Sequence, residues 1–315
     1  MISAFVVNDG ILEQRPVSGP EDLVAAIVWV DLVDPSAEER RWVEEAFARS
    51  LPTAEEIAEI EASARFFEDE EGLHLNSYFL YEDEDHYSNL NVGFSLGGHR
   101  LFTLHERDLP TFRMFRMRAR RQPGLATTAS QILLRLLETT VEQLADELEA
   151  VYTNLESVSR GVLDESARDM RGALARLATQ EDLTGKIRLS LMDKQRVLSF
   201  LSRRNLLDHE QREELREILR DVESLLSHAA FLFEKVNFLM DAAMGFINIE
   251  QNQIIKIFSI AAVVFLPPTM IASIYGMNFE HMPELDWAWG YPLAIGLMLA
   301  SGIAPYLFFR YKGWL

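Results

Sequence analysis

The chain has 315 residues, with 49 acidic and 30 basic side chains and a formal charge of −19. Its length accommodates about two ordinary domains plus a membrane hairpin. Phosphate binding needs clustered lysine and arginine, so this charge argues against a nucleic-acid partner. It suits a protein that meets cations, and simple solubility of an exposed body explains it equally well. The lack of cysteine excludes disulfides and thiolate zinc sites, and Met1–Phe5 has no signal-peptide character.

Strand and helix signals alternate through residues 1–122, which predicts an α+β cytoplasmic domain arranged as an α/β/α sandwich, with a mixed or antiparallel sheet. An Asn8-Asp9-Gly10 turn signal joins the first two strands. Asp34 and Pro35 are placed to cap and begin a helix that runs to about Arg49. The predicted strands cover residues 2–7, 11–13, 26–32, 64–68, 72–81, 91–96 and 100–105.

Residues 123–206 are predicted to form a long antiparallel helical hairpin. Apolar residues recur at steps of three and four along each arm, which is the heptad pattern of a coiled coil. Polar breaks at residues 164–169 and 205–208 mark the tip and the end of the hairpin. The first seam comprises Leu137, Val141, Leu144, Leu148, Val151, Leu155, Val158 and Val162, and the returning seam comprises Leu177, Ile187, Leu191, Leu198 and Leu201.

Residues 207–275 are predicted to form one continuous stalk helix that enters the membrane. No proline occurs between Asp208 and Leu266, so the helix can reach a length of about 100 Å at ~1.5 Å per residue. A helix of that length needs neighbours, which predicts an oligomer around it. Its seam comprises Leu215, Leu219, Val222, Leu226, Ala229, Phe233, Val236, Met240, Ala243 and Ile247.

Two uncharged runs, Ile257–Phe279 and Trp287–Phe309, lie near the C-terminus. Each is long enough to provide the roughly 20 residues that a helix needs to cross the hydrocarbon core. Lys256, Arg310 and Lys312 flank the two runs on the outer sides, whereas the joining loop of residues 276–286 has only acidic charges. The positive-inside rule therefore predicts two transmembrane helices, the second at residues 287–309, with the loop outside and residues 310–315 as a cytoplasmic tail.

Small and polar residues line one side of the first span, as the wall of a pore repeated around a ring would require. A tightly packed helix interface is an alternative explanation of the same pattern. Pro267 and Pro268 predict a local bend, where Thr269 could help satisfy the freed carbonyl groups. The second span lacks a polar stripe and is expected to face lipid. The stripe comprises Gly245, Asn248, Asn252, Ile255, Ser259, Ala262, Leu266, Thr269, Ser273 and Gly276.

The loop after the first span has the chemistry of a site for a hydrated cation. Mg²⁺ loses its water reluctantly, so neutral oxygens of Asn278 and Gly276 can accept hydrogen bonds from its bound water. Carboxylates in the same position would hold the ion too strongly for rapid release. The acidic residues farther out, which raise the local cation concentration, are Glu280, Glu284 and Asp286.

The motif Tyr275–Glu280, followed by Met282–Leu285 and Trp287–Pro292, resembles the signature of the CorA family of magnesium transporters. The likeness extends along the whole chain and is closest to the enterobacterial-type bacterial branch. The resemblance implies a funnel-shaped homopentamer in the bacterial inner membrane, with both termini cytoplasmic, and with lipid and divalent cations as its partners. It also implies transport of Mg²⁺, and of Co²⁺ and Ni²⁺, driven by the membrane potential and closed by intracellular Mg²⁺ that acts as a regulator. No organic cofactor is expected.

The same resemblance implies the residue roles. Selectivity lies at Gly276, Met277 and Asn278. Acidic positions such as Glu217 and Asp221 are candidates for the regulatory metal site, and a solvated helix face is the alternative for each of them. An apolar constriction is implied at Ile255, Phe258 and Leu266. The full set of implied pore-lining residues is Asn252, Ile255, Phe258, Ser259, Ala262, Leu266, Thr269 and Ser273.

Two other functions remain open from the residues themselves. The first is transport of zinc, although the seven histidines are scattered and only His281 lies in the loop. The second is a membrane-anchored coiled-coil scaffold, which explains the heptads and spans but not the Asn-bearing loop. An enzyme is not expected, because no nucleophile lies beside a base and His105-Glu106-Arg107 is not a metalloprotease motif.

Overall fold

The computed structural model describes residues 1–59, 65–84, 86–163, 169–204, 207–278, 282–284 and 286–313. The chain forms two compact units, Met1–Met240 and Asp241–Leu315. The first unit contains the sheet and the helical hairpin. The second contains the two apolar helices.

A seven-stranded sheet in the order β2-β1-β3-β7-β6-β5-β4 forms the centre of the first unit. Among the described strands, β3 and β7 alone pair in parallel, so the sheet is mixed, as the sequence predicts. The strands are β1 (Ile2–Asn8), β2 (Ile11–Pro16), β3 (Ile27–Val33), β4 (Phe66–Glu68), β5 (Leu73–Asp83), β6 (His86–Gly97) and β7 (Arg100–His105).

Two-residue turns close two of the hairpins. Asp9 and Gly10 join β1 to β2 with φ angles of 49° and 79°, and Gly98 and His99 join β6 to β7 with φ angles of 58° and 65°. Two consecutive positive φ angles are typical of the type I′ turn, whose twist matches that of paired strands. The hairpin predicted at Asn8-Asp9-Gly10 is confirmed.

The two faces of the sheet pack against different helices. Ala4, Val30 and Phe102 face a core completed by helices α1 (Ala37–Phe47) and α2 (Ala54–Ala58). Side chains alternate along a strand, so their neighbours point to the opposite face. There Trp29 packs edge-on against Phe115 of helix α3 (Pro110–Arg121), with ring centroids 5.7 Å apart. The predicted α/β/α sandwich is confirmed.

Helix α1 begins two residues later than the sequence suggests. Ser36 is the N-cap: its hydroxyl accepts the Glu39 N–H, and the Glu39 carboxylate accepts the Ser36 N–H at 2.8 Å. This reciprocal capping box satisfies two otherwise unpaired donors. The prediction that Asp34 caps the helix is wrong, because Asp34 adopts a left-handed backbone with φ of 42° and its N–H donates to the carbonyl of His105.

Asp31 is a fully buried carboxylate on β3 that joins β7 and α3. Its oxygens accept hydrogen bonds from Thr103 Oγ1 at 2.6 Å, His105 Nε2 at 2.9 Å and an Arg116 guanidinium nitrogen at 2.9 Å. The other ring nitrogen of His105 lies 2.6 Å from the carbonyl oxygen of Arg107. Both nitrogens therefore face acceptors, which requires the doubly protonated imidazolium. Burial lowers the pKa of His105, but the charge of Asp31 and these hydrogen bonds outweigh it, so the pKa is raised.

The helical hairpin consists of α4 (Ala129–Leu163) and α5 (Met170–Ser202). All eight residues of the first predicted seam and all five of the second are buried. Two long helices thus bury the two predicted seams, and most of the proposed hairpin tip lies outside the described residues.

Strand β4 is short and pairs with only part of β5. Beyond that part, side chains of α5 form hydrogen bonds with the backbone of β5. The backbone N–H of Tyr78 donates to Asp193 at 2.8 Å, and its carbonyl accepts from Lys194 and from Ser190 at 3.2 Å. Unpaired strand edges are exposed to pairing with other chains. Helix α5 thus takes the place of a missing neighbouring strand.

The charges at this edge are almost completely buried. Asp193 accepts from Arg65 at 2.7 Å and from Ser77 Oγ at 2.7 Å. Lys194 is fully buried, and its ammonium lies 4.1 Å from the ring centroid of Phe79. Burial lowers the pKa of Lys194 to about 8, and the charge of Asp193 opposes that shift. Removing one partner from a buried ion pair leaves the other charge buried without compensation, which strongly destabilises the fold.

Helix α6 (His209–Tyr275) is continuous, as the sequence predicts. Within the first unit it lies along α4, and the ammonium of Lys235 sits 4.6 Å from the ring centroid of Tyr152. One predicted line of the seam is buried at Leu215, Val222, Ala229 and Val236. The second buried line is Ile218, Leu232 and Leu239, whereas the predicted residues Leu219, Leu226, Phe233 and Met240 are only half-buried.

The second unit contains the remainder of α6 and helix α7 (Gly290–Tyr311). In the described part of the chain, two helices are long and apolar enough to cross a membrane: α6, through its C-terminal part, and α7. The predicted start of the second span at residue 287 precedes the helix by three positions, because Trp287 and Trp289 belong to the turn that leads into it.

Replacing Asp193 by alanine is expected to lower the free energy of unfolding by about 3–5 kcal/mol, because the buried charges of Arg65 and Lys194 lose their counterion. Asp182→Ala is the matched control on α5: it removes an exposed pair with Lys186 and is expected to cost less than about 0.5 kcal/mol. Denaturant unfolding of the detergent-solubilised chain, followed by tryptophan fluorescence, measures both. Equal losses would contradict the role assigned to Asp193.

The raised pKa of His105 makes its contribution to stability depend on pH. This contribution is complete below the unfolded-state pKa of about 6.5 and is lost as pH rises through the higher pKa of the folded chain. The stability difference between the native chain and His105→Gln is therefore expected to be largest below about pH 6.5 and to shrink as the pH rises through the raised pKa of His105. His86→Gln, at an exposed position on β6, is the control. A difference that grows with pH would overturn the imidazolium assignment.

Candidate ion pathway and selectivity loop

The membrane part of α6 has two distinct faces. At about 100° per residue, the half-buried residues and the predicted pore-lining residues are centred about 180° apart around the helix. The half-buried residues are Ile260, Ala261, Val264, Pro267, Pro268 and Ile271. The predicted pore-lining residues are all exposed on the single subunit: Asn252, Ile255, Phe258, Ser259, Ala262, Leu266, Thr269 and Ser273.

The half-buried face is the one that contacts α7. Gly302 of α7 lies against Pro268 and the carbonyl group of Val264. The exposed face is opposite, and it includes the three large apolar residues implied as a constriction. Ile255, Phe258 and Leu266 are 62%, 71% and 65% exposed. An exposed face of small, polar and apolar residues, turned away from α7, is available to neighbouring subunits or to a pathway between them.

The two prolines leave carbonyl groups in α6 without their usual donors. Helical N–H groups bond to the carbonyl four residues earlier, so Pro267 frees that of Val263 and Pro268 frees that of Val264. Thr269 Oγ1 instead donates to the carbonyl of Phe265 at 2.7 Å. The prediction that Thr269 satisfies a freed carbonyl is therefore wrong, because its hydroxyl bonds to the carbonyl four residues earlier, which is neither of the two that the prolines free.

The predicted selectivity residues follow directly from the last turn of α6. The N–H of Gly276 donates to Ala272 at 3.0 Å, and that of Met277 donates to Ile274 at 3.3 Å, so the helix tightens as it ends. Gly276, Met277 and Asn278 are all exposed. The last carbonyl groups of a helix carry the negative end of its dipole, which favours a cation at this position.

The outer part of the loop approaches the start of α7. A methyl group added at Gly290 would collide with the carbonyl oxygen of Glu284, so only glycine fits there. The N–H of Gly290 donates to Trp287 at 2.8 Å. Glu284 and Asp286 are exposed, as a role in attracting cations requires. Glu280 lies outside the described residues.

Aromatic side chains surround the start of α7 and reappear at its end. Trp287, Trp289 and Tyr291 are exposed near the loop, and Tyr311 is exposed at the opposite end of the helix. Tryptophan and tyrosine are enriched where a membrane meets water. Their separation by one apolar helix fits the predicted topology.

The candidates for a regulatory metal site are not grouped within one subunit. Glu217 is exposed and lies 3.8 Å from Arg220. Asp221 lines a groove between α4 and α6 together with Glu138 and Glu142. Across the described ranges of a single chain, no three His, Asp or Glu side chains are arranged to hold a metal ion.

The sequence reading missed two glycines that position these elements, Gly290 and Gly302. Both are isolated glycines at the start of or within an apolar helix. Small residues in such helices mark places where backbones approach closely. That signal was available, but periodicity alone does not indicate which neighbour each glycine meets.

Comparison with known proteins gives one consistent result. Residues 24–311 match the family described as CorA-like Mg²⁺ transporter protein. The chain is 55% identical to the magnesium transport protein CorA of Escherichia coli K12 and 54% identical to that of Yersinia pestis, each over 317 residues and 100% of both chains. The complete structure of the CorA magnesium transporter from Methanocaldococcus jannaschii is similar with a TM-score of 0.79 and 22% identity, covering 100% of this chain and 99% of that chain.

Proposed function

This chain belongs to the family of CorA-like Mg²⁺ transporter proteins, and we propose that it carries Mg²⁺ across the bacterial inner membrane as a channel-like homopentamer. The family is one of transporters rather than enzymes. The observation that carries the proposal is the exposed face of α6, which lies opposite α7 and leads into Gly276, Met277 and Asn278. Five copies of this face around an axis would form a continuous pathway that ends at the loop.

Oligomerisation explains the apolar surface that a single subunit leaves uncovered. Leu219, Leu226 and Phe233 are half-buried, and Phe231 and Phe238 are 55% and 64% exposed on the same helix. Exposed apolar side chains along a helix indicate a protein interface. Neighbouring copies of α6 and α4 would cover them. The number of copies, five, comes from the family resemblance.

Selectivity follows from the reluctance of Mg²⁺ to lose water. Rings of Asn278 amide oxygens and Gly276 carbonyls would accept hydrogen bonds from the hydrated ion. The negative ends of the α6 dipoles would add attraction without the tight binding of carboxylates. Glu280, Glu284 and Asp286 would concentrate cations at the entrance. The same chemistry admits Co²⁺ and Ni²⁺.

The driving force is the membrane potential. Moving two charges through ~100 mV yields about 4.6 kcal/mol, at ~2.3 kcal/mol per charge. Lys256 before the first span, and Arg310 and Lys312 after the second, support cytoplasmic termini and an outer loop. The cytoplasmic part would then consist of a body (residues 1–122), a helical hairpin (123–206) and a stalk that continues into the first span (207–275). The selectivity loop (276–286), the second span (287–309) and a cytoplasmic tail (310–315) would follow.

Closure is proposed to follow from intracellular Mg²⁺ that bridges acidic faces of neighbouring subunits. The overall charge of −19 makes subunits repel when the metal is absent. Glu217 and Asp221 are candidate ligands because each leaves its carboxylate accessible to a second copy. Loss of the metal would separate the subunits and widen the constriction at Ile255, Phe258 and Leu266.

Zinc is the second candidate ion, and competition between Zn²⁺ and Mg²⁺ in flux measurements separates the two. Within the described residues the histidines form no metal-binding group, and zinc sites generally use imidazole or thiolate ligands. The scaffold hypothesis is not supported, since the chain matches a family of transporters over most of its length.

Asn278→Ala is expected to reduce Mg²⁺ influx into inside-negative proteoliposomes by about tenfold or more, which corresponds to about 1.4 kcal/mol of lost stabilisation of the hydrated ion. Asn278→Asp is expected to slow influx as well, because a carboxylate ring releases Mg²⁺ slowly. Asn154→Ala, at an exposed position of α4, is the control. Influx that is unchanged in both loop variants would place selectivity elsewhere, and no influx in the native chain at any potential would reject the transport proposal.

Cysteine substitution tests the proposed pore face, since the chain has no native cysteine. A cysteine at Leu266 or Thr269 is expected to react rapidly with a charged, membrane-impermeant thiol reagent under Mg²⁺-free conditions that favour opening. A cysteine at Val264 or Ile271, on the face toward α7, is expected to react slowly. The opposite order would show that the water-filled pathway runs along a different face of α6.

A further inference from the structure

Gly302 lies where α7 meets the proline-interrupted segment of α6. A methyl group added at Gly302 would lie 3.3 Å from Cγ of Pro268 and 3.5 Å from the carbonyl oxygen of Val264. Carbon atoms pack favourably at about 3.5–4.0 Å, so an alanine is already tight against Pro268 and a larger side chain adds further bulk at this contact. Glycine at this position therefore allows α7 to approach α6 closely.

The contact falls on the part of α6 that is least supported by its own hydrogen bonds. The Val264 carbonyl has no helical donor because residue 268 is proline. A helix with missing hydrogen bonds bends more readily at that point. α7 packs against the segment from one side, while Leu266 and Thr269 project from the other. A shift of α7 at Gly302 would therefore move residues of the proposed pathway.

We propose that Gly302 is a positioning residue for ion conduction: by fitting against Pro268 and Val264, it fixes the position of the proline-containing turn of α6 and thereby that of the pathway face. This inference rests on the proposed function. Gly302 itself touches no ion, and it acts through the two residues that it contacts. The second span is then a support for the first, with a defined contact point, in addition to its surface toward lipid.

Gly302→Ala and Gly302→Leu test the proposal, with Gly296→Ala and Gly296→Leu as matched controls on the same helix. A methyl group added at Gly296 meets no atom of the described chain within 4 Å. Both alanine variants raise helix propensity equally, so a difference between them reports the contact. Initial Mg²⁺ influx into inside-negative proteoliposomes is expected to fall modestly in Gly302→Ala and at least about tenfold in Gly302→Leu, and to stay unchanged in both Gly296 variants.

A second-site change separates this contact from a general folding defect. Pro268→Ala removes the Cγ atom that the new methyl group would meet, so Gly302→Ala combined with Pro268→Ala is expected to recover the influx lost by Gly302→Ala, relative to Pro268→Ala alone. The external Mg²⁺ concentration for half-maximal influx is expected to stay constant throughout, because the loop at Gly276–Asn278 is unchanged. A positioning effect alters the maximal rate or the internal Mg²⁺ concentration that closes the pathway.

The outcomes are distinct. If the native chain carries Mg²⁺ and the Gly302 variants match the Gly296 variants, the inference is overturned and the proposed function stands. Equal losses at both glycines would also overturn it, because bulk anywhere on α7 would then be harmful. No influx in the native chain would reject the proposed function itself.

Discussion

The buried carboxylate of Asp193 links the two parts of the first unit. It joins Arg65, Ser77 and the backbone of Tyr78, and so attaches the helical hairpin to the edge of the sheet. Without it, the β5 edge would lose a backbone partner and two buried cations would lose their counterion. A second buried carboxylate, Asp31, joins β3 and β7 to α3 in the same manner. The strongly acidic chain thus uses two of its carboxylates as internal connections and leaves most others on the surface.

In the membrane unit, shape rather than charge determines the arrangement. Proline removes donors from one turn of α6, and glycine on α7 permits close approach at that turn. This contact uses one face of α6, and the opposite face remains uncovered in the single subunit. The division of one helix into a supporting face and an exposed face is the property that a subunit of a ring-shaped channel requires. The loop then follows directly from the end of the same helix.

Features that depend on local periodicity could be predicted from the sequence, whereas those that depend on distant partners could not. The length of α6, the two apolar helices and the Asp9–Gly10 hairpin follow from residue patterns within a few turns. The cap of α1 was misassigned because Asp34 and Ser36 are both good capping residues, and the bond of the Asp34 N–H to His105 decides between them. The second line of the α6 seam was displaced by one residue, because a helix of 3.6 residues per turn allows two adjacent lines and the position of α4 selects one. The Asp193 cluster has no local signature, and an isolated glycine such as Gly302 signals a close approach without indicating its partner.

The completion of the sheet by α5 has a consequence for synthesis of the chain. The backbone of Tyr78 is separated by 115 residues from Asp193, which accepts its N–H. At about 5–20 residues per second, a ribosome needs roughly 6–23 s to add that length. During this interval the β5 edge at Tyr78, beyond the three residues that pair with β4, lacks the partner that it has in the folded chain. Strand edges left open in nascent chains are sites of unwanted pairing. The domain is therefore expected to be most prone to aggregation, and most dependent on chaperones, until α5 has emerged from the ribosome and can bind this edge.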